Sequence, residues 1–289
     1  MELFKKIEKF EIKNLICQAL EEDLAGHGDI TTKNLVSLES VSNAYVICKE
    51  SGGAILSGID VFFYVFEELS KEIVFEKIKN DGDFLKREDI VCRLKGPSTY
   101  LLAGERTALN FLQHMSGIAT YTQKFVSIAS KYNVKITDTR KTKPCLRKIE
   151  KYAVRCGGGF NHRYNLSDGI LVKDNHITTA GGIKQALNSL RNKIPHQLKI
   201  EVEVKTFSEL DEAIEGRADI IMLDNMSVND MAKAVKIIRG KLGSNCIIEA
   251  SGGVNLNTFE NICKTGVNII SAGCITHSAP ATDFSLEFE

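Results

Sequence analysis

Residues 199–225 read K-I-E-V-E-V-K-T-F-S-E-L-D-E-A-I-E-G-R-A-D-I-I-M-L-D-N. Two short apolar runs, Lys199–Val204 and Asp219–Leu223, flank the helical segment Phe207–Glu215. A strand that is followed by a helix and then another strand is the repeating unit of a parallel sheet. The pattern continues in both directions. Further strands are predicted at Val134–Thr137, Gly169–Val172, Cys246–Ala250 and Val267–Ser271, and helices at Pro144–Val154, Gly182–Arg191, Val228–Arg239 and Leu256–Lys264. Near-continuous apolar strands imply a sheet covered by helices. Six strands are legible, whereas a closed α/β barrel needs eight. Either the barrel is incomplete or further strands escape the pattern.

The first third reads differently. Phe10–Leu24 has helical periodicity, with Ile12, Leu15, Ile16, Ala19 and Leu20 on one face. Ser42–Glu50, Glu72–Lys79 and Asp89–Leu94 read as strands and Gly58–Leu69 as a helix, an α+β pattern. A long helix is predicted over Pro97–Tyr132, with a break near Ser116-Gly117. The tail Asp283–Phe288 alternates like a strand and is placed back on the first sheet. The expected division is residues 1–112, joined by 278–289, and residues 113–277.

The chain has 289 residues and a formal net charge of +0, with 43% hydrophobic and 26% charged residues. That composition is ordinary for a globular protein. Neutrality argues against broad nucleic-acid or anionic-membrane binding. The N-terminus M-E-L-F-K-K-I-E-K-F-E-I lacks the apolar core of a signal peptide, and no apolar run reaches the ~20 residues of a spanning helix. The eight cysteines form no C-x-x-C pair and no zinc spacing, so they read as reduced, mostly buried thiols in a cytoplasmic protein.

The polar residues fall where strands end. Thr137 leads to Asp138-Thr139-Arg140-Lys141, Val172 to Lys173-Asp174-Asn175-His176, Leu223 to Asp224-Asn225, Ala250 to Ser251-Gly252-Gly253, and Ile270 to Ser271-Ala272-Gly273. In parallel α/β barrels the active site lies at that end, because the βα-loops converge there. Glycines after the last two strands, before helices, allow backbone N–H groups to approach a phosphate; the bland alternative is that they only make tight turns. Glu203 and Asp224 offer carboxylates for Mg²⁺ or for ribose hydroxyls, or else a charge-balancing network. Glu201 and Glu203 share a strand face, so periodicity does not choose between them.

The segment 136–176 concentrates positive charge: Arg140, Lys141, Lys143, Arg147, Lys148, Lys151, Arg155, His162, Arg163, Lys173 and His176, around Gly157-Gly158-Gly159. Such a cluster points to a pocket for a small, multiply anionic ligand. Arg140, Arg163 and Lys173 are candidate carboxylate clamps, since a guanidinium pairs bidentately with a carboxylate. His162 is read as a ligand contact. Arg147, Lys148 and Lys151 are read as a solvated helix face, and His114 and His27 carry no assigned role. No P-loop, no G-x-G-x-x-G and no G-x-S-x-G elbow is present, which disfavours the corresponding nucleotide-binding and hydrolase classes.

At these residues the chain resembles the quinolinate phosphoribosyltransferase family. The resemblance runs from Glu22-Asp23-Leu24 and Gly28-Asp29-Ile30-Thr31-Thr32 to Thr276-His277-Ser278. It is densest at Glu105–Asn110, Asp138–Thr142, Gly157–Arg163 and Lys173–His176. It implies an N-terminal α/β sandwich domain plus an open, incomplete parallel α/β barrel of seven strands. The implied reaction joins quinolinate to phosphoribosyl pyrophosphate with Mg²⁺, giving nicotinate mononucleotide, pyrophosphate and CO₂ in de novo NAD synthesis.

The resemblance also implies roles. Arg140, Arg163 and Lys173 would hold the quinolinate carboxylates, with Arg106, Thr139, Lys141 and His162 around them. Lys141, Lys173, Glu203 and Asp224 would form the catalytic group, and the match selects Glu203 over Glu201 as the partner of Asp224 near Mg²⁺. Ser251, Gly252, Gly253, Ser271, Ala272 and Gly273 would cradle the 5′-phosphate. The implied assembly is a homodimer or a dimer-based hexamer, with Arg106 entering the neighbouring site. Cys145 and Asn165 depart from the family pattern, which often has Gly at both places. Two other readings stay open at this point: a Schiff-base barrel enzyme using Lys141 or Lys173, and a non-catalytic anion-binding protein.

Overall fold

The computed structural model describes residues 6–289. In chain order the first elements are α1 (Lys9–Leu24), α2 (Ile30–Leu35), β1 (Val41–Cys48), β2 (Ala54–Ile55), α3 (Ile59–Leu69), β3 (Val74–Lys77), β4 (Phe84–Leu85), β5 (Ile90–Pro97) and α4 (Ser98–Ala129). There follow β6 (Lys135–Thr137), α5 (Arg147–Cys156), β7 (Ile170–Val172), α6 (Asp174–Ala180), α7 (Ile183–Arg191), β8 (Ile200–Val204), α8 (Phe207–Glu215), β9 (Ile220–Asp224) and α9 (Val228–Leu242). The chain ends with β10 (Ile247–Ser251), α10 (Leu256–Cys263), β11 (Ile269–Ser271), α11 (Cys274–His277) and β12 (Phe284–Phe288). Two compact units form. One takes the chain up to Gln123 together with Lys143–Gly158 and Ala279–Glu289; the other takes Lys124–Thr142 and Gly159–Ser278.

The first unit is built on an antiparallel sheet of order β12-β1-β5-β3. The C-terminal strand β12 pairs with β1, Ala44 opposite Phe288 and Cys48 opposite Phe284. Helix α3 buries Ile59, Val61, Phe62, Val65 and Phe66, and α1 buries Ile12, Ile16 and Leu20 at helical spacing. Each such side chain contributes about 1.5–3 kcal/mol on leaving water.

Helix α4 is continuous through Ser116-Gly117, where the sequence predicts a break. Ser116 is buried, and its hydroxyl accepts from Ser57 N–H at 3.0 Å and donates to Ser57 C=O at 3.2 Å. A Cβ on Gly117 would overlap the Pro280 carbonyl. This glycine lets two stretches of backbone approach each other, and the helix passes through it intact.

Helix α5 corrects a second expectation. Lys151 is buried, and Arg147 and Lys148 are half-buried, so they are not a solvated face. Lys148 Nζ pairs with Glu11 Oε1 at 2.7 Å. The half-buried Arg147 and Lys148 can bury their methylene stems and keep the charge near water, whereas Lys151 lies inside as a whole; a charge count along a helix registers neither.

The second unit is a parallel sheet of order β6-β11-β10-β9-β8-β7 that does not close. Its register assigns the two faces. Ile136, Val172, Val202, Val204, Ile221, Leu223, Ile248, Ala250 and Ile270 alternate onto one face and are buried. Leu187, Leu210, Ala213, Met231, Ala234, Ile238, Phe259 and Ile262 are buried on the helices. The opposite, interior face carries Thr137, Glu201, Glu203, Asp224, Glu249, Ser251 and Ser271. This polar face is where chemistry is available. One further residue extends the sheet beyond β6: Phe160 bridges Thr137 in parallel, its N–H donating to Ile136 C=O at 2.9 Å and its C=O accepting from Asp138 N–H at 3.2 Å.

Candidate active site

The polar interior face and the strand-end loops of the second unit bring together most of the residues singled out in the sequence. At the end of β6, Asp138 is fully buried. Its carboxylate accepts from His162 N–H at 2.9 Å and from Asn161 Nδ2 at 2.6 Å. The Thr139 hydroxyl accepts from Lys141 N–H at 3.0 Å. Asp138 thus ties the Thr139-Arg140-Lys141 loop to the His162-Arg163 segment, which are distant in sequence. Arg163 Nη1 donates to Gly169 C=O at 2.8 Å, just before β7.

Burial and the like charge of Arg140 both push the Arg163 guanidinium below its ordinary pKa, against an opposing pull from Glu201. Two guanidinium groups held within electrostatic reach are poised for an anion of more than one charge.

At the end of β7, Lys173 N–H donates to His176 Nδ1 at 3.1 Å, which makes His176 a cap for α6. Lys173 Nζ lies 3.3 Å from Glu203 Oε2. A residue not anticipated stands on the other side. Lys205 Nζ is 3.8 Å from Glu203 Oε1 and 2.9 Å from Asp174 Oδ2. The Asp174 carboxylate raises the pKa of the Lys205 ammonium and is itself lowered by it. The available signal for Lys205 was its position directly after the alternating strand Ile200–Val204.

The structure separates the two glutamates that share a strand face. Glu203 turns to Lys173, whereas Glu201 lies further from the strand end, with Oε2 3.2 Å from His162 Nε2. Glu249 on β10 is the third member of that inner group, its Oε1 3.7 Å from the same nitrogen. Burial first, and the Glu201 charge second, push the Glu249 carboxyl up to about 7; the imidazole and the Ser271 hydroxyl oppose the shift. In the sequence Glu201 stood only as the same-face alternative to Glu203, and Glu249 was not singled out.

Asp224 ends β9 and accepts from Asn225 Nδ2 at 2.8 Å. Asn225 has a positive φ of 54°, and its N–H donates to Ser251 C=O at 2.9 Å. Gly252 and Gly253 follow with φ of 92° and 60°, a conformation suited to glycine. They precede α10, which Asn255 caps through Asn257 N–H and Thr258 N–H. Past β11, Ala272 N–H donates to Thr137 C=O at 3.0 Å. The Lys141 side chain lies over Gly273, where an added Cβ would stand 3.0 Å from Lys141 Cδ. Thr276 Oγ1 donates to Lys141 C=O at 2.8 Å. Lys141 therefore belongs with the glycine loops.

Arg106 lies in the first unit, exposed on α4. Beside it, Thr107 Oγ1 donates to Asp23 Oδ2 at 3.1 Å, and a cleft lined by Glu22, Asp23, Asn110 and His114 opens next to them. His114, which the sequence left without a role, pairs through Nε2 with the fully buried Glu150 at 2.9 Å. The two departures from the family pattern differ in kind. Cys145 is exposed and adopts φ of 63°, where glycine would be unstrained. Asn165 uses its side chain, accepting from Ser167 N–H at 2.9 Å and Ser167 Oγ at 2.7 Å, so it closes its own turn.

Comparison with known proteins matches the same two parts of the chain. Residues 29–116 match the quinolinate phosphoribosyl transferase N-terminal domain, and residues 118–287 match the C-terminal domain. The chain is 40% identical over 277 residues to a probable nicotinate-nucleotide pyrophosphorylase [carboxylating] of Bacillus subtilis, covering 96% of this chain and 93% of that protein. Among solved structures, NadC from Streptococcus pyogenes superimposes with a TM-score of 0.92 at 37% identity, covering 99% of this chain and 100% of that one. The nicotinate-nucleotide pyrophosphorylase of Francisella tularensis gives 0.91 at 41% identity, covering 98% of both. With both domain models matched in order and the relatives aligned almost end to end, the chain belongs to the quinolinate phosphoribosyltransferase family.

Proposed function

We propose that the strand-end basin of the second unit binds quinolinate and phosphoribosyl pyrophosphate and joins them, giving nicotinate mononucleotide, pyrophosphate and CO₂ in de novo NAD synthesis. The observation that carries this reading is the Arg140–Arg163 pair, like charges within electrostatic reach on two loops that the buried Asp138 ties together. A ligand with two adjacent carboxylates turns that repulsion into attraction. Arg140, Arg163 and Lys173 hold the carboxylates, with Thr139 and His162 shaping the same wall. Ser251–Gly253 and Ser271–Gly273 receive the 5′-phosphate, and Lys141, laid over Gly273, adds a cation there.

The donor set fits Mg²⁺. Glu203 and Asp224 offer hard oxygen atoms on neighbouring strands and on one sheet face, and a hydrated Mg²⁺ commonly takes one or two carboxylates plus substrate oxygens. When bound, the ion neutralises diphosphate charge. The chain's own residues orient the reaction. With the dicarboxylate clamped, the ring nitrogen attacks the anomeric carbon while the bond to pyrophosphate breaks, and Lys141 and Lys173 stabilise the negative charge. The 2-carboxylate then leaves as CO₂. Its bonding electrons stay on C2 beside the cationic nitrogen until a proton replaces them. No covalent nucleophile is required.

We infer a homodimer, or a dimer-based hexamer, in which the exposed Arg106 enters the neighbouring site. The protein acts in the cytoplasm, without nucleic-acid or membrane partners. The neutral charge balance supports that reading, as does the finding that no helix among the described residues is long and apolar enough to cross a membrane. Incubation with quinolinate and phosphoribosyl pyrophosphate, followed by mass detection, is expected to yield nicotinate mononucleotide. Absence of that product overturns the proposal.

A further inference from the structure

The interior of the second unit holds a group that the transfer chemistry does not call for. His162 Nε2 is 3.2 Å from Glu201 Oε2 and 3.7 Å from Glu249 Oε1. Glu201 is 5% exposed and Glu249 3%. The Oε1 atom of each has no hydrogen-bond partner in the protein. Burying carboxyl groups in this way is costly, so their retention calls for a reason.

The ring's other nitrogen supplies one. His162 Nδ1 accepts from Arg163 N–H at 2.8 Å. An imidazole nitrogen that accepts a hydrogen bond carries no proton, so the ring proton sits on Nε2 and points at the carboxylates. The distances choose the acceptor: 3.2 Å is at the edge of the N–H···O range and 3.7 Å is outside it. A continuous path results, from Glu201 Oε2 through the imidazole to the main chain of Arg163. Asp138 fixes the same segment from the other side, through His162 N–H. Both ring nitrogens of His162 thus face protein groups.

We propose that Glu201 is a positioning residue for the pyridine dicarboxylate: acting through His162, it fixes the main chain at Arg163 and so aims the guanidinium. Glu203, two residues along the same strand, serves the phosphoribosyl half, so one strand aligns both substrates. The inference rests on the reading of Arg163 as a carboxylate clamp. It needs Glu201 as a hydrogen-bond acceptor and not as a charge or a metal ligand, although the three side chains place donor atoms within 4.8 Å of one another.

Steady-state kinetics on Glu201→Leu, Glu201→Gln and His162→Ala test it. Glu201→Leu should raise KM for quinolinate about tenfold or more, while KM for phosphoribosyl pyrophosphate stays within about twofold. Glu201→Gln keeps an acceptor oxygen and should restore quinolinate KM to within about threefold of wild type. Added to His162→Ala, Glu201→Leu should cost less than about twofold more, because the two residues act in series. Equal losses on both substrates, a glutamine as damaging as leucine, or full additivity overturns the inference. If Glu201→Leu does not fold, His162→Phe must show the same quinolinate-selective loss, and a symmetrical loss overturns the inference equally. Wild-type protein that forms no nicotinate mononucleotide overturns the enzyme reading. Wild-type turnover with unchanged Glu201→Leu kinetics overturns only the role of Glu201.

Discussion

Gly252 and Asn225 are packed so closely that a Cβ on the glycine would overlap the Asn225 side-chain amide and stand 2.8 Å from its backbone nitrogen. Both residues have positive φ, and both follow strands whose last residues, Asp224 and Ser251, are paired. A methyl group at position 252 therefore strains its own backbone and displaces the loop that carries Asp224. Gly252→Ala should raise KM for phosphoribosyl pyrophosphate and lower kcat/KM by at least about a hundredfold, or ~2.7 kcal/mol. The protein should remain folded. Circular dichroism alongside kinetics checks this; an alanine variant with wild-type kinetics would remove the glycine loop from the phosphate site.

Arg140 and Lys173 make separable contributions. In the proposed reading Arg140 works with Arg163 against the dicarboxylate, whereas Lys173 also pairs with Glu203 at 3.3 Å. Replacing either with Ala removes a fixed positive charge from the site, and preorganised charge of this kind is worth about two to three orders of magnitude in rate. Turnover should nearly vanish in both variants. Lys173→Ala should also shift the Mg²⁺ dependence, because Glu203 loses its nearer ammonium partner. Near-wild-type turnover in both proteins would sink the assignment of the clamp.

The parallel half of the fold was legible because its buried strands alternate without interruption, and residues 199–225 alone carry a complete strand-helix-strand unit. Phe160 was not legible. A single bridging residue has no periodicity, so the position beyond β6 appears only when Ile136 and Asp138 are seen to bond to it. Glu201 and Glu203 defeat a period-2 argument by construction, since both face inward. What separates them is depth: one meets His162 and the other Lys173. Lys151 was misread because a charge count along a helix does not show that the whole side chain lies inside, only 4% exposed. The strand-end rule pointed to Lys141, Lys173 and Asp224 as candidates. It could not find His114, whose partner Glu150 lies 36 positions away.

Cys145 holds φ of 63° in an exposed turn. A left-handed backbone costs a non-glycine residue roughly 1–2 kcal/mol, and the greater freedom of glycine in the unfolded chain offsets part of that. Cys145→Gly should therefore stabilise the protein by about 0.5–1 kcal/mol in urea unfolding. Cys145→Ala should not, since it keeps the Cβ. Equal effects from both substitutions would show that the thiol, and not the backbone, sets the cost.

Glu249 makes stability depend on pH in a direction opposite to an ordinary surface carboxylate. Its carboxyl is pushed up to about 7 by burial and by the neighbouring Glu201 charge. The folded protein therefore holds this proton more tightly than the unfolded chain does. The resulting stabilisation is complete below the unfolded value near 4.5 and is lost as pH rises through about 7. A rise from 4.5 to about 7 corresponds to about 3 kcal/mol, with the opposing pulls of His162 and Ser271 already contained in it. Glu249→Gln carries no titrating proton. Its urea midpoint should fall less than that of wild type between about pH 5 and pH 8, so the two curves converge at low pH and separate at high pH, with the variant the more stable. Parallel curves across that range would mean that Glu249 is ionised in the folded protein at every pH tested, and that its carboxylate is held by the imidazole of His162.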